Sequence, residues 1–305
     1  MSSASPVPTL RDLESWSFPG TALAVFGHPI GHSLSPPMHN AALADLARDD
    51  ARFASWKYFR FEIHPDELPQ ALELAHAKNF HGINLTVPHK VIAFDRVAEI
   101  DPAARPVGAV NTLRRTGANW HGFNTDGYGL NTAVHETLGC QLAGSHIVLL
   151  GAGGAARGAA VECLQRRCAS LWIANRTPEN LAALLARLAP LAAGIPLHGF
   201  APDEPPAKLP SGALVINATS AGLRVDDPSP LDLATLSRPA AVFDMIYNPA
   251  RTPLLRQAES LSIPCANGLS MLVHQGAKSL EIWSGIPAAR TAPAMQAAAR
   301  AALGA

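Results

Sequence analysis

The stretch HIVLLGAGGAARGAAVECLQRR, residues 146–167, joins an apolar run to a glycine-rich turn and then to a helix-length segment. Its turn, GAGGAA, matches the pattern G-x-G-x-x-G/A. Gly151 suits the tight turn, Gly153 permits close approach of a pyrophosphate, and Ala156 lets the helix pack on its strand. The order of strand, turn and helix predicts a dinucleotide site, whereas the alternative is a tight turn without a ligand. The predicted cofactor-binding residues of this turn are Gly151, Ala152, Gly153, Gly154 and Ala155.

The loop after the next apolar run, SLWIANRT (residues 170–177), indicates which dinucleotide binds. An NAD site usually has Asp or Glu there, about 20 residues beyond the glycines, to bind the ribose 2′-OH. This chain has Asn175, Arg176 and Thr177 instead. Because a guanidinium forms charge-assisted hydrogen bonds with phosphate, the loop predicts NADP rather than NAD. The alternative is a solvated arginine in an ordinary loop.

Outward from this stretch, short apolar runs alternate with helix-length segments, which is typical of an α/β fold. In the first part of the chain the pattern predicts strands at 21–27, 56–63 and 81–87, and helices at about 36–47, 66–78 and 128–138. A second series begins at residue 146, continues through the apolar runs near 170, 214 and 241, and closes with helices at about 269–284 and 287–303. We therefore expect two domains, with a boundary near residues 124–127.

Composition excludes several classes of function. The chain has 305 residues, of which 48% are hydrophobic, and 24 Lys and Arg balance 24 Asp and Glu. Without a basic run, nucleic acid and anionic membranes are not expected partners. The four cysteines lack metal-ligand spacing, so we expect free thiols in a reducing compartment and no metal. With no secretory signal or membrane-spanning run, we expect a cytoplasmic protein whose first 20 residues form a loose leader.

Polar side chains accumulate where the predicted strands of the first series end, and ligands of α/β sheets bind outside the carboxyl ends of strands. These residues are Ser33 and Ser35, then Asn84, Thr86 and Lys90, then Asn111 and Thr112, and finally Asn124 and Asp126. Hydroxyls, amides, one lysine and one carboxylate suit a small polyhydroxylated acid, because each substrate hydroxyl finds a partner. The alternative for each residue is a turn or a cap, and Ser35 before Pro36 has the sequence of a helix N-cap.

Nine blocks in order carry a resemblance to a known family: GHPIGHSLSPPMHN, NLTVPHK, GAVNTL, NTDGYGL, GAGGAA, NRT, NATSAGL, DMIYNP and NGLSMLVHQGA. From about residue 21 onward the chain resembles the shikimate dehydrogenases. The resemblance implies NADPH-dependent, reversible reduction of 3-dehydroshikimate to shikimate. It also implies a Rossmann-like NADP-binding domain at 126–268 and an α/β substrate domain at 1–125, completed by 269–305, with a cleft between them.

The resemblance also implies roles for individual residues. Ser33 and Ser35 donate hydrogen bonds to the shikimate carboxylate, with Tyr247 nearby. The ring hydroxyls are surrounded by Thr86, Asn111, Asp126 and Gln275, and Thr219 and Gly268 join the cofactor site. We assign catalysis to Lys90 and Asp126, because an ammonium both stabilises a developing oxyanion and supplies its proton. The alternative is a surface ion pair between these two residues.

Three positions depart from the family pattern or are ambiguous. Many relatives carry a second basic residue three positions after the NRT arginine, and here that position is Asn180. Ser270 stands where relatives often have glycine, and His89 either tunes Lys90 or is solvated.

Two other functions remain open. One is a quinate dehydrogenase that uses NAD, against which both serines and Arg176 argue. The other is a dinucleotide sensor without turnover, which would be expected to lack Lys90 or Asp126. In each case the expected partner is a small molecule, and the expected assembly is a monomer or a homodimer.

Overall fold

The structure, a computed structural model, describes residues 7–224 and 226–304. The chain divides by packing into two compact units. The first unit comprises the residues up to Thr125 together with those from Gln275 onward, and the second is Asp126–His274. Of the helices described, none combines the length and apolar character that crossing a bilayer requires.

The first unit is built on a mixed sheet of order β2-β1-β3-β5-β6-β4. Its strands are β1 (Thr21–Gly27), β2 (Trp56–Glu62), β3 (Gly82–Leu85), β4 (Glu99–Ile100), β5 (Thr112–Thr116) and β6 (Asn119–Phe123). Strand β1 runs parallel to β2 and β3, β5 runs antiparallel to β3 and β6, and β4 is parallel to β6. Because β5 runs antiparallel to β3 and β6, its first residues lie on the side of the sheet where β1, β3 and β6 have their carboxyl ends.

This arrangement corrects one expectation. Asn111 and Thr112 were expected at the end of a strand, but they lead into β5 at its beginning. They reach the edge with the other polar residues because the strand runs antiparallel. The strands and helices predicted for residues 21–87 are confirmed as β1, β2, β3 and the helices between them.

Helices cover the sheet of the first unit. They are α1 (Leu10–Ser15), α2 (Ser35–Leu46), α3 (Leu68–Ala77), α4 (His89–Phe94), α10 (Ala288–Leu303) and the part of α9 (Leu269–Ser284) from Gln275 onward. The Trp283 side chain anchors α9, because its indole N–H donates to the Leu113 carbonyl at 2.9 Å. A Cβ on Gly82 would lie 2.2 Å from Trp283 Nε1, so glycine at this position lets the indole contact β3.

The expected loose leader is wrong for the residues that precede β1. Helix α1 begins after Thr9, whose hydroxyl and amide both donate to the Asp12 carboxylate at 2.9 and 2.8 Å. Its Leu10 and Leu13 side chains are buried in the core of the first unit, which gives this segment a fixed place. Residues 1–6 lie outside the described residues.

The second unit has a fully parallel sheet of order β12-β11-β10-β7-β8-β9. Its strands are β7 (His146–Leu150), β8 (Ser170–Ala174), β9 (Leu197–Phe200), β10 (Leu214–Asn217), β11 (Ala241–Asp244) and β12 (Cys265–Asn267). Its helices are α5 (Asp126–Leu138), α6 (Gly154–Gln165), α7 (Pro178–Leu188), α8 (Pro253–Ser260) and the start of α9. The strand order reverses between β7 and β10, the position at which such Rossmann-type sheets bind ligands.

Candidate functional site

The glycine turn between β7 and α6 has the geometry of an anion-binding turn. Gly151 has a φ of +109°, and a Cβ there would lie 3.0 Å from Thr219 Cγ2, so the turn itself requires glycine. Its N–H donates to the Ala174 carbonyl at 2.8 Å, which attaches the turn to β8. Helix α6 then begins at Gly154.

The next two glycines have a different explanation. A Cβ on Gly153 or Gly154 would meet nothing within 4 Å, and both residues are exposed. Gly153 has a φ of −81°, which any residue adopts. Packing within the protein therefore does not require glycine here, whereas a phosphate approaching the first turn of α6 does. Ala156 is fully buried, as helix-to-sheet packing requires. The turn fits a dinucleotide pyrophosphate.

The loop after β8 presents a guanidinium to solvent. Arg176 is exposed, and no other described residue forms a hydrogen bond or ion pair with it. The loop is shaped by Asn175, whose amide donates to the Thr177 carbonyl at 2.9 Å. Thr177 is the N-cap residue of α7 but makes no side-chain cap bond. Arg176 and the Thr177 hydroxyl are thus available for an anionic group such as a 2′-phosphate.

A buried carboxylate, Asp244 at the end of β11, organises the neighbouring loops. One of its oxygens accepts from Asn217 Nδ2 and from the Ile246 N–H, both at 3.0 Å, and the other accepts from the Thr252 hydroxyl at 2.6 Å. Burial raises its pKa against the effect of these bonds. Asn217 in turn accepts from the Thr219 amide and hydroxyl at 3.0 and 2.7 Å. Sequence reasoning missed Asp244 and Asn217. The sequence signal that could have identified them is that each is a single polar residue at the end of an apolar strand.

Gly268 is required by packing. A Cβ there would lie 2.1 Å from the Met245 carbonyl oxygen, and the Gly268 N–H donates to the Ile246 carbonyl at 3.1 Å. This close approach fixes the turn from β12 into α9 against the loop that carries Tyr247. Tyr247 is partly buried, which raises the pKa of its phenol.

Ser270, one of the departures from the family pattern, has a partner in the second unit. Its hydroxyl donates to Glu136 Oε2 on α5 at 2.8 Å, and His274 Nε2 contacts the same carboxylate oxygen. The added side chain therefore ties the beginning of α9 to α5.

In the first unit, the two serines lie at the start of α2. The Ser33 hydroxyl oxygen accepts from the Ser35 N–H at 3.3 Å, and the N-cap residue is Leu34, without a side-chain cap bond. The N-cap alternative for Ser35 is therefore wrong. Both serines are partly exposed.

The segment after β3 carries Thr86 and Lys90. Thr86 donates its N–H to the Phe26 carbonyl at 3.0 Å, and a Cβ on Gly27 would lie 2.4 Å from Thr86 Cγ2. Lys90 lies in the first turn of α4 and is partly exposed, and its carbonyl accepts from the Val110 N–H at 2.9 Å. The backbones of β1 and of the segment before β5 therefore hold both residues at the sheet edge.

His89 is neither solvated nor open to a ligand. It is fully buried, its Nε2 contacts the Ile63 carbonyl at 2.8 Å, and burial lowers its pKa. Because a carbonyl only accepts, the neutral ring carries its proton on Nε2. His89 is thus a structural residue that attaches α4 to the segment after β2.

Asn111 is the centre of a buried polar cluster. Its Oδ1 accepts from the Thr125 N–H at 2.9 Å, and its Nδ2 donates to Thr125 Oγ1 at 2.9 Å and to Gln275 Oε1 at 3.4 Å. The Ser279 hydroxyl donates to the Gln275 carbonyl at 2.9 Å. The structure thus joins two residues predicted for the substrate site, Asn111 and Gln275, although they are far apart in the sequence.

Asn84 extends this cluster towards β2. Its Nδ2 lies 3.0 Å from each of the Asn111 carbonyl, Thr112 Oγ1 and Ser279 Oγ. Asn124, the remaining amide, donates to the Ala109 carbonyl at 2.9 Å and shapes the loop before α5. Asp126, the first residue of α5, is partly exposed. Sequence reasoning missed Ser279, because a lone serine in a helix carries no signal.

Comparison with known proteins identifies close relatives. The model of the shikimate dehydrogenase substrate binding domain matches residues 25–113, and that of the shikimate 5′-dehydrogenase C-terminal domain matches residues 268–300. The shikimate dehydrogenase (NADP(+)) of Symbiobacterium thermophilum is 40% identical over 273 residues, which cover 88% of this chain and 90% of that protein.

Solved structures show the same likeness. Shikimate 5-dehydrogenase from Thermus thermophilus, in complex with NADP(H) and shikimate, is 33% identical with a TM-score of 0.78, covering 92% of this chain and 99% of that one. The 5-ketofructose reductase of a Gluconobacter species, in a ligand-free form, is 29% identical with a TM-score of 0.80, covering 92% of this chain and 99% of that one.

Proposed function

Since this chain belongs to the shikimate dehydrogenase family, we propose that it is an NADP-dependent oxidoreductase that interconverts 3-dehydroshikimate and shikimate. The observation that carries the proposal is the gathering of Ser35, Thr86, Asn111 and Gln275 around the polar edge of one sheet. A polyhydroxylated acid matches that set of hydroxyls and amides, because each of its oxygens finds a donor or an acceptor.

Lys90 and Asp126 carry the proton chemistry in this proposal. Reduced NADP, when bound, supplies the hydride. The Lys90 ammonium stabilises the oxyanion that develops on the substrate carbonyl and donates the proton that neutralises it. In the oxidation of shikimate, neutral Lys90 accepts that proton. Asp126 orients the ammonium and accepts a hydrogen bond from the neighbouring substrate hydroxyl.

The other predicted residues bind and orient the substrate. Ser33, Ser35 and Tyr247 bind the carboxylate, and Thr86, Asn111, Asp126 and Gln275 bind the ring hydroxyls. Hydroxyl donors attract a carboxylate less strongly than a guanidinium does, which suits an enzyme that must release its product.

The cofactor site uses the second unit. The first turn of α6 and residues 151–155 bind the pyrophosphate, and Arg176 with Asn175 and Thr177 binds the 2′-phosphate. Thr219 and Gly268 complete the site near the ends of β10 and β12. The open space above Gly153 and the unpaired state of Arg176 among the described residues support this assignment.

We assign residues 1–125, completed by 269–305, to substrate binding, and residues 126–268 to NADP binding. The two compact units support this division of roles, except that residues 269–274 pack with the second unit. We further propose a cytoplasmic enzyme that is a monomer or a homodimer, in keeping with its four free cysteines.

An absorbance assay for NADPH formed from shikimate tests the proposal. We expect turnover with shikimate and NADP⁺, and a much lower kcat/KM with quinate or with NAD⁺. Because one structural relative is a 5-ketofructose reductase, NADPH oxidation by 5-ketofructose serves as a further comparison. A preference for 5-ketofructose or for quinate with NAD⁺ would contradict the proposal, and no turnover with any pair would indicate a sensor.

A further inference from the structure

An arginine that sequence reasoning does not single out supports the loop that joins β1 to α2, residues 28–34, which carries Ser33. Arg60 lies on β2, and its Nη1 donates to the Gly31 carbonyl at 2.5 Å. Because β2 runs parallel to β1, the carboxyl end of β2 lies on the side of the sheet where this loop begins. Arg60 therefore reaches the loop from the neighbouring strand.

The carbonyl that Arg60 binds belongs to a tight turn. The Ser33 N–H donates to the Ile30 carbonyl at 3.0 Å, which closes a turn whose central residues are Gly31 and His32. Such a turn closes through the carbonyl of its first residue and the N–H of its last, so the carbonyl of its second residue accepts from outside the turn. Arg60 supplies that donor and ties the middle of the turn to the sheet.

Other contacts attach the loop only where it begins. The His28 N–H donates to the Val87 carbonyl at 3.3 Å, and His28 Nδ1 lies 3.3 Å from Glu62 Oε1. Of the hydrogen bonds that the described residues form with positions 29–33, the one from Arg60 is the one that comes from outside the loop and α2. The place of the turn therefore depends on this guanidinium.

The position of the turn decides where the Ser33 hydroxyl lies. Its oxygen accepts from the Ser35 N–H at 3.3 Å. The hydroxyl hydrogen is left for a second acceptor, and a carboxylate is a strong one. A displaced turn would move this donor relative to the start of α2, so that Ser33 and Ser35 would no longer face one ligand together.

We propose that Arg60 is a positioning residue for the substrate carboxylate: its guanidinium holds the Gly31 carbonyl, and the turn then presents the Ser33 hydroxyl to the ligand. The proposal rests on the proposed function, in which Ser33 binds the carboxylate. It requires no contact between Arg60 and the substrate. Arg60 is half-buried, and its bond to the carbonyl is charge-assisted, which makes it stronger than a bond between neutral groups.

The loss of the guanidinium weakens substrate binding through the freedom that the loop gains. Without it, residues 29–33 keep their attachments at His28 and at Ser35 but are less restricted between them. Fixing the turn again when the substrate binds then costs conformational entropy. This cost falls on binding rather than on proton transfer, because Lys90 belongs to a different segment, at the start of α4.

The test is Arg60→Met, which keeps an unbranched side chain but removes every donor. We expect the KM for shikimate to rise roughly three- to tenfold, with kcat within about twofold of wild type. Arg52→Met is the matched control. Arg52 lies before the start of β2, and its Nη2 also donates to a carbonyl of the same unit, that of Ser284, at 3.3 Å. We expect this control to leave KM unchanged, with all variants assayed below their Tm.

A Ser33→Ala background separates positioning from attraction by the charge of Arg60. In this background we expect Arg60→Met to raise KM no further, because the residue that Arg60 positions has lost its hydroxyl. If Arg60 acted by charge alone, its loss would raise KM equally with and without the Ser33 hydroxyl, and the effect would shrink in high salt.

That result, an unchanged KM in Arg60→Met, or an equal rise in Arg52→Met would overturn the proposal while the wild type remains an active shikimate dehydrogenase. An inactive wild type would instead refute the proposed function, and with it the role of Arg60 in affinity.

Discussion

Lys90 is the residue on which the proposed chemistry depends most directly. Its backbone is held by the Val110 N–H, and its side chain starts from the first turn of α4, at the polar edge of the first sheet. Replacing it therefore removes an amine from the site without removing a core side chain. The activity of a variant without Lys90 should therefore report on the chemical step rather than on folding.

We expect Lys90→Ala to lower kcat by roughly 10²–10⁴-fold with a small change in KM, because a general acid acts in the transition state. Steady-state oxidation of shikimate measures both constants. Lys57→Ala, an exposed lysine on β2, is the control and is expected to retain wild-type kcat. Near wild-type turnover by Lys90→Ala would refute its assignment.

Arg176 determines cofactor choice in our proposal. One charge-assisted hydrogen bond is worth about 1.5–3 kcal/mol, or roughly 10- to 150-fold in affinity, and with Asn180 in place of a second basic residue we expect the lower part of that range. Arg176→Ala should reduce kcat/KM for NADP⁺ and leave that for NAD⁺ nearly unchanged, and Asn180→Arg should raise the preference for NADP⁺. If the ratio of the two values does not fall in Arg176→Ala, selectivity lies elsewhere.

At the scale of elements, two glycines in strand-to-helix turns have opposite reasons for being glycine. Gly268 approaches the Met245 carbonyl to a distance that excludes a Cβ, whereas Gly153 has open space around it. The first requirement comes from the protein itself, and in our proposal the second comes from the bound cofactor. Substitutions at the two positions should therefore separate an effect on folding from an effect on cofactor binding.

We expect Gly268→Ala to lower Tm and activity together, because backbone atoms must shift to admit the methyl group. Gly153→Ala should leave Tm unchanged and raise the KM for NADP⁺ about tenfold or more, since the methyl group displaces a phosphate from backbone N–H donors. Thermal unfolding and steady-state kinetics of both variants distinguish the two cases. Equal loss of Tm in both would mean that Gly153 has a packing role.

The elements themselves could be predicted from sequence wherever periodicity was strong, as in β1, β7 and their following helices. Pairing between distant segments could not be predicted. The sequence predicts a strand end where β5 begins, because the antiparallel pairing of β5 with β3 is a tertiary property. Similarly, His89 and Asp244 are buried by neighbours that no local pattern reveals.

The candidate site divides in the same way. The glycine turn and the NRT loop have local signatures with a physical reason, so the sequence alone predicts Gly151, Gly153 and Arg176. Ser279 contacts Asn84, which is 195 residues away in the sequence, so only the folded chain reveals it.

At the scale of the whole molecule, each unit has its own hydrophobic core, and the first is completed by α9 and α10. Trp283 attaches α9 to the first sheet, where it covers Gly82 and donates to Leu113. The second unit does not contain this residue. The stability of the second unit should therefore not depend on Trp283.

We expect Trp283→Ala to destabilise the first unit by about 3–5 kcal/mol, the usual cost of removing a buried aromatic ring. Calorimetry should show one transition moved to lower temperature and a second, stabilised by NADP⁺, left in place. Trp172→Ala on β8 is the reciprocal control and should affect only the NADP⁺-sensitive transition. A joint fall of both transitions in Trp283→Ala would show that the units unfold together.

The split composition of the first unit has a consequence for biosynthesis. Strands β1 to β6 and helices α1 to α4 leave the ribosome early, but α10 and the part of α9 that belongs to the first unit follow only after all of Asp126–His274 has been made. At about 5–20 residues per second, the first sheet waits roughly eight to thirty seconds for Trp283. The second unit is continuous in sequence and can fold in that interval. The unit whose synthesis begins first is therefore the last to be completed. We expect a chaperone to bind the uncovered face around Gly82 and Leu113.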